Sequence, residues 1–284
     1  MAAQNAASNN EYIVPSFGQS NEGEADIDIF SSTFPTHPVY PLPDGYEDVD
    51  PTIKIAVDYL RPTRPANGVI QPHDQPPRWE SMEGVYWTGY GDVTYGWEQS
   101  FLRHLRDRYN STVYFIRIAK GGVPIEAFMP GGELYDGIEP LIRFAIDDII
   151  ARGKNPVILF ARWGQGESNA SEAPSTYLAK YESVIDYVRG LYPPYTTNIP
   201  FISRKLSLLQ TILSTPDNIN AAFDMSVSDL ENCYTYSLED MDTTPVVYQE
   251  PGYGAGQGIH WDGPTQLADG DYLFQFGLDN NLIP

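Results

Sequence analysis

At 284 residues and 42% hydrophobic content, the chain is long enough to bury a sizeable core, and its composition excludes wholesale disorder. Thirty-eight acidic against 17 basic residues give a formal charge of −21, a field that repels phosphate backbones and anionic lipid, so neither nucleic acid nor membrane is an expected partner. The single Cys233 excludes an intramolecular disulfide and any multi-cysteine metal centre, and the four histidines (His37, His73, His104, His260) are too scattered for a metal site to be expected.

Residues 1–12 carry neither a basic region nor an apolar core, so no secretory signal peptide is expected there. The first strand candidate, "EYIVPSF" (11–17), runs into Gly18-Gln19-Ser20-Asn21. This polar stop suits a tight turn, and equally a serine nucleophile presented at a strand-to-helix junction. Prolines interrupt residues 31–95, which read as an extended insertion or rim with one short strand near 53–60. Its Trp79, Tyr86, Trp87 and Tyr90 either line a sugar cleft or pack the segment onto the domain.

Beyond residue 95, strands and helices alternate. Trp97, Phe101, Leu102, Leu105 and Tyr109 mark one helix; a strand over 112–119 follows and ends in Gly121-Gly122. Paired glycines there let backbone N–H groups approach a ligand, as an oxyanion site requires. Ile138, Leu141, Ile142, Ala145, Ile146, Ile149 and Ile150 form an apolar helical stripe that Gly153 caps. A strand over 156–163 runs into "GQGESNA", with Gln165 a candidate oxyanion donor and Glu167 a carboxylate able to orient an imidazole; a polar turn with Ser168 or Asn169 capping the next helix is the plainer reading. Tyr177, Tyr181, Val184, Ile185, Val188 and Leu191 mark that helix, and a strand over 199–206 follows. Near the end, "GYGAGQGIHWDG" (252–263) presents His260; it is not expected to be a nucleotide loop, since no helix clearly follows it. The alternation implies a single α/β domain over 1–284, with residues 1–10 as an arm, a mainly parallel sheet between helical layers, and function at the carboxyl ends of the strands.

In this order, "FGQSN", "AKGG", "WGQGESNA" and "GIHW" resemble the four sequence blocks of the SGNH (GDSL-like) hydrolases, in the branch of sialate O-acetylesterases and family 6 carbohydrate esterases. The resemblance covers about residues 11–276. It implies a three-layer α/β/α sandwich with a flavodoxin-like sheet and a serine esterase that needs no cofactor and no metal. Ser20 would be the nucleophile and His260 the general base. The Ser20 N–H, an N–H of Gly121 or Gly122 and the Gln165 side chain would hold the oxyanion; Gln19, Asn21 and Trp163 would support the turn or touch substrate. Many members carry Asp three residues before the histidine, where this chain has Gln257, so Glu167 is expected to be the triad acid. Asp262 stands on the wrong side of His260 for that role. Glu22, where the branch commonly has methionine, also breaks the G-x-S-x-G elbow of α/β-hydrolases.

The implied substrate is an O-acetylated glycan. Arg117, Lys120 and Arg162, near the strand ends, could supply a basic patch that would take an acidic sugar, but surface pairing or framing is their plainer role. Two settings fit a chain without a signal peptide: the cytoplasm, or a phage virion, with a homo-oligomer or virion assembly as the partner state. Two rival readings predict different behaviour. A glycan-binding or structural protein on the same fold would bind sugar without turnover, and a lipase or thioesterase would prefer long acyl chains.

Overall fold

The computed structural model describes residues 9–18, 50–57, 77–82, 86–87, 93–94, 96–210, 213, 215–246 and 261–284. Among them, the strands are β1 Asn10–Gly18, β2 Asp50–Val57, β3 Arg78–Met82, β4 Tyr86–Trp87, β5 Val93–Thr94, β6 Val113–Ala119, β7 Asn155–Ile158, β8 Ala161–Gly164, β9 Phe201–Arg204 and β10 Cys233–Tyr236. The helices are α1 Glu98–Tyr109, α2 Tyr135–Ala151, α3 Pro174–Gly190, α4 Pro216–Asp229 and α5 Gly263–Asp279.

An eight-stranded sheet runs β10-β9-β8-β1-β6-β2-β3, with β7 also paired to β1. Every pairing in it is parallel except β2 with β3 at the edge. Taking β1, β6, β7–β8, β9 and β10 as first to fifth, the order is second, first, third, fourth, fifth. This is the flavodoxin-like winding, which reverses direction between β1 and β8. The stretch 31–95, expected as an extended insertion or rim with one short strand, supplies β2 and β3 to one edge of the main sheet; β2 covers the expected strand near 53–60 in part.

Period-two alternation divides the core into two faces. Ile13, Phe17, Tyr114, Ile116, Ile118 and Trp163 turn toward α2, α3 and α4, whereas Tyr12, Val14, Val113, Phe115 and Ile202 turn toward α1 and α5. The strand expected over 156–163 breaks in its middle for a physical reason. Ile13 lies opposite Ile158 and Ser16 opposite Arg162, so three steps in β1 match four in β7–β8. The extra residue is a bulge. It places the neighbours Leu159 and Phe160 on the same face and restores the alternation that sends Trp163 to the other.

The helix over 135–151 buries the expected stripe from Ile138 to Ile149, and Gly153 adopts φ +73° past its end. Ile150 is the exception, 40% exposed. At 100° per residue it lies about 120° around the helix from Ile138, outside the stripe. Trp79 packs on Tyr114 and Phe144, and its Nε1 donates to Asp148 at 3.0 Å, so it serves the packing reading rather than a sugar cleft. Helix α5 corrects the expectation that no helix follows 252–263. Its buried face is Gly263, Thr265, Gln266, Asp269, Gly270, Leu273 and Gly277, polar and glycine-rich where a helical stripe is normally apolar. A Cβ on Gly270 would lie 2.0 Å from the Trp97 carbonyl oxygen, so glycine permits α5 to lie directly on α1.

Candidate functional site

Three strand ends meet where the winding reverses. Gly18, the last residue of β1, pairs with Ala119 at the end of β6 and with Gly164 at the end of β8. The Lys120 N–H donates to the Gly18 carbonyl at 3.2 Å. The segments that leave these ends are 19–21, 120–122 and 165–167, the first three of the four blocks singled out in the sequence. Gln19, Ser20, Asn21, Gln257 and His260 lie outside the described residues. Their anchors are described: Gly18 is buried in β1, and Trp261, next to His260, is buried within the apolar cluster beneath α1 and α5. Asp262 is taken by another task. Its carboxylate accepts the Thr265 N–H at 2.9 Å and caps α5.

Gly121 and Gly122 are exposed, and nothing lies within 4 Å of where a Gly122 Cβ would sit. Glycine is needed at 122 for its φ of +72°, which turns the chain after β6 and leaves the main chain open to a ligand. The 3₁₀ turn Ile125–Phe128 follows, with Ile125 and Phe128 fully buried.

Gln165 is fully buried and faces inward. Its Nε2 donates to Asn169 Oδ1 at 2.8 Å and to the Val123 carbonyl at 3.3 Å, while its Oε1 accepts from the Tyr177 hydroxyl at 2.6 Å. Trp163, also fully buried, donates its Nε1–H to that hydroxyl at 3.1 Å and stands behind the turn. Burial pushes the Tyr177 hydroxyl well above its ordinary pKa, so it is a permanent donor at working pH. Both Gln165 amide hydrogens therefore have partners in the protein. To donate to an oxyanion, the side chain would have to exchange one of them, and the longer bond to Val123 is the one to give.

Gly166 has φ +152°, and a Cβ there would meet Ile219 Cγ2 at 2.7 Å. Gly166→Ala should therefore cost about 2 kcal/mol or more of stability, combining backbone strain with overpacking. Urea unfolding of the single variant and of a double variant with Ile219→Ala checks this, since shortening Ile219 should recover only the packing part. Glu167 opens the 3₁₀ turn Glu167–Asn169 and is buried, with Gln210 Nε2 3.5 Å from its Oε1.

The reading of Ser168 or Asn169 as a helix cap does not hold for Asn169. Helix α3 starts with Ala173 at its cap position and Pro174 behind it, with no side-chain cap. Asn169 Oδ1 instead accepts the Ile125 N–H at 2.8 Å, and its Nδ2 donates to Glu126 at 3.3 Å and Glu172 at 3.1 Å. Lys180 bridges those two carboxylates. Burial raises the Glu126 carboxyl, but the bonds from Lys180, its own backbone N–H and Asn169 outweigh this and hold it below its usual value. Sequence reasoning missed Asn169, Tyr177, Lys180 and Gln210 as partners of these turns, because each sits in a stretch that reads as cap, stripe or loop.

The basic patch is not assembled from its three candidates. Arg117 pairs with the buried Glu98 at 2.7 Å, and Lys120 pairs with Glu133. Arg162 is fully buried, stacked 3.8 Å from the Trp97 ring and paired with Asp269 at 2.5 Å, a framing role rather than a surface or substrate-facing one.

No family model matches the chain, and no curated protein sequence matches it. Solved structures do resemble it along nearly its whole length. A protein from Arabidopsis thaliana aligns at 17% identity and a TM-score of 0.63 over 96% of this chain and 98% of its own. NanS aligns at 15% and 0.66 over 96% and 98%. A carbohydrate acetylesterase from Xanthomonas citri aligns at 14% and 0.58 over 94% of this chain, which spans 55% of that protein. The likeness is one of fold, a mostly parallel sheet between two layers of helices.

Proposed function

We propose that the protein is a serine carbohydrate esterase that removes O-acetyl groups from a glycan through an acetyl-enzyme. The observation that carries this reading is the meeting of Gly18, Ala119 and Gly164, the strand ends that run into "GQSN", "KGG" and "GQGESNA" in the sequence, at the winding reversal between β1 and β8. The carbohydrate acetylesterase among the proteins of like fold supports the reaction class.

In this reading Ser20 Oγ attacks the ester carbonyl carbon while His260 takes its proton. The tetrahedral oxyanion rests on the N–H groups of Ser20 and of Gly121 or Gly122, with Gln165 joining by exchanging its bond to Val123. Collapse breaks the carbon–oxygen bond to the sugar, and His260 returns the proton to the departing alkoxide. Water, deprotonated by His260, then releases acetate and restores Ser20. Glu167 holds the imidazole. Gln19 and Asn21 shape the nucleophile turn, and Trp163 braces the Gln165 turn from behind.

The partner is an acetylated carbohydrate, and a homo-oligomer or virion assembly is part of the proposal for its setting. No helix among the described residues is long and apolar enough to cross a membrane. The test is acetate release from an acetylated polysaccharide and p-nitrophenyl acetate, together with labelling by a serine-directed phosphonate. Turnover with label on Ser20, and faster cleavage of acetyl than of long acyl esters, is the expected result. An inert, unlabelled protein that still binds the polysaccharide would move the assignment to a glycan-binding protein, the rival that Gln257 motivates.

A further inference from the structure

We infer that Asn169 is a positioning residue for the oxyanion turn, locking the backbone after Gly121-Gly122 to the turn that carries Gln165 and Glu167. The inference rests on the esterase reading and adds to it a residue that touches no substrate.

The argument is one of hydrogen-bond capacity. A carboxamide offers two lone pairs and two hydrogens, and Asn169, 8% exposed, uses all four. Ile125 N–H and Gln165 Nε2 occupy Oδ1, each at 2.8 Å; Glu126 and Glu172 occupy Nδ2. The orientation is forced, because a backbone N–H can only donate and must face Oδ1. That in turn fixes Gln165, whose Nε2 must face Asn169 and the Val123 carbonyl. Val123 and Ile125 are the first and third residues after Gly122, so the turn proposed to hold the oxyanion is tied to the loop after β8 at Ile125 throughout, and at Val123 until Gln165 exchanges that bond for the oxyanion. Behind it the chain continues through Tyr177 to Trp163 in the core.

Removing this lock should move the Gly121 and Gly122 N–H groups while leaving the sheet intact. Displacements of about 1 Å at a reacting centre cost about 100-fold in rate. Asn169→Ala is therefore expected to lose about 100-fold in kcat on p-nitrophenyl acetate with little change in KM. Thr196→Val, which removes the hydrogen bonds to the Arg189 carbonyl and from the Tyr192 N–H past the C-terminal end of α3, should lower the urea midpoint but keep kcat.

Asn169→Asp gives the second readout, independent of the alanine variant's folding. It keeps the acceptor toward Ile125 and Gln165 but turns a second oxygen toward Glu126 and Glu172, the carboxylates that face it, with Lys180 between them. Protonation of the new carboxyl restores a donor there. The ratio of its kcat to wild type should rise as pH falls from 8 to 5, and dividing by wild type removes the shared titration of the base. A flat ratio, or a full kcat in Asn169→Ala with only a lowered urea midpoint, would overturn the inference. Ser20→Ala is assayed alongside: residual full activity in it would sink the esterase reading itself, whatever Asn169 does.

Discussion

Ser20→Ala is expected to lower kcat/KM on p-nitrophenyl acetate by about 10⁴-fold or more, the scale at which loss of a serine nucleophile acts in unrelated triad enzymes. Wild-type activity should rise with pH through a histidine-like value near about 6.5, because only neutral His260 can accept the serine proton. Glu167→Gln separates the two candidate sources of the acid. Glu167 is buried at the carboxyl end of β8, on the turn next to Gln165, and Asp262 is committed to the cap of α5. If Glu167 orients the imidazole, its amide variant should lose about 10³- to 10⁴-fold in kcat with the protein still folded. Gln257→Asp provides the complementary arm. A gain in Gln257→Asp together with near-normal Glu167→Gln would remove Glu167 from the triad and return the acid to the position before the histidine.

The central strands were legible because parallel strands covered on both faces must be apolar on both, and "YIVPSF" and "VYFIRIA" are. Helices α2 and α3 were legible through stripes that bury six apolar residues in one face of α2 and five in one face of α3. What escaped had other physics behind it. Helix α5 buries threonine, glutamine, aspartate and glycine because it lies against α1 at backbone distance and holds a charged cluster, so its buried face carries no apolar period. The bulge at Leu159-Phe160 is a property of two strands' registers and leaves no mark on either sequence alone. Strand β10, "CYTY", is too short to stand out from loop. For the candidate site, "GQSN" and "GQGESNA" fixed which segments to watch, and the strand order brings the ends that carry them together. The partners that hold the turns, Asn169 on Ile125 and Tyr177 on Gln165, join residues whose pairing only the packed chain reveals.

Asp269→Asn is expected to be the most destabilising conservative change in the described core. The Asp269 carboxylate is buried on α5, and it receives Arg162 at 2.5 Å from β8, Arg204 at 3.0 Å from β9 and the Tyr236 hydroxyl at 2.6 Å from β10. One carboxylate thus ties three neighbouring strands to the helix that follows His260. Burial alone would raise its pKa; Arg162, Arg204 and the Tyr236 hydroxyl outweigh burial and hold it below the ordinary carboxylate value. An amide of the same shape keeps packing but removes the negative charge shared by two buried guanidiniums, and breaking a buried pair from one side costs about 3–5 kcal/mol. The pH dependence follows from the sign of the shift. A depressed folded pKa contributes stability that is complete above the unfolded value of about 3.9 and is lost as pH falls through the folded one. The gap in urea midpoint between wild type and Asp269→Asn should therefore be constant from pH 5 to 8 and narrow below about pH 4. Because α5 begins three residues after His260, the variant should also lose activity at denaturant concentrations where it remains folded by far-UV circular dichroism. A gap that widened toward acid would mean that the carboxyl is protonated in the folded protein, and that the two arginines are neutralised by another group.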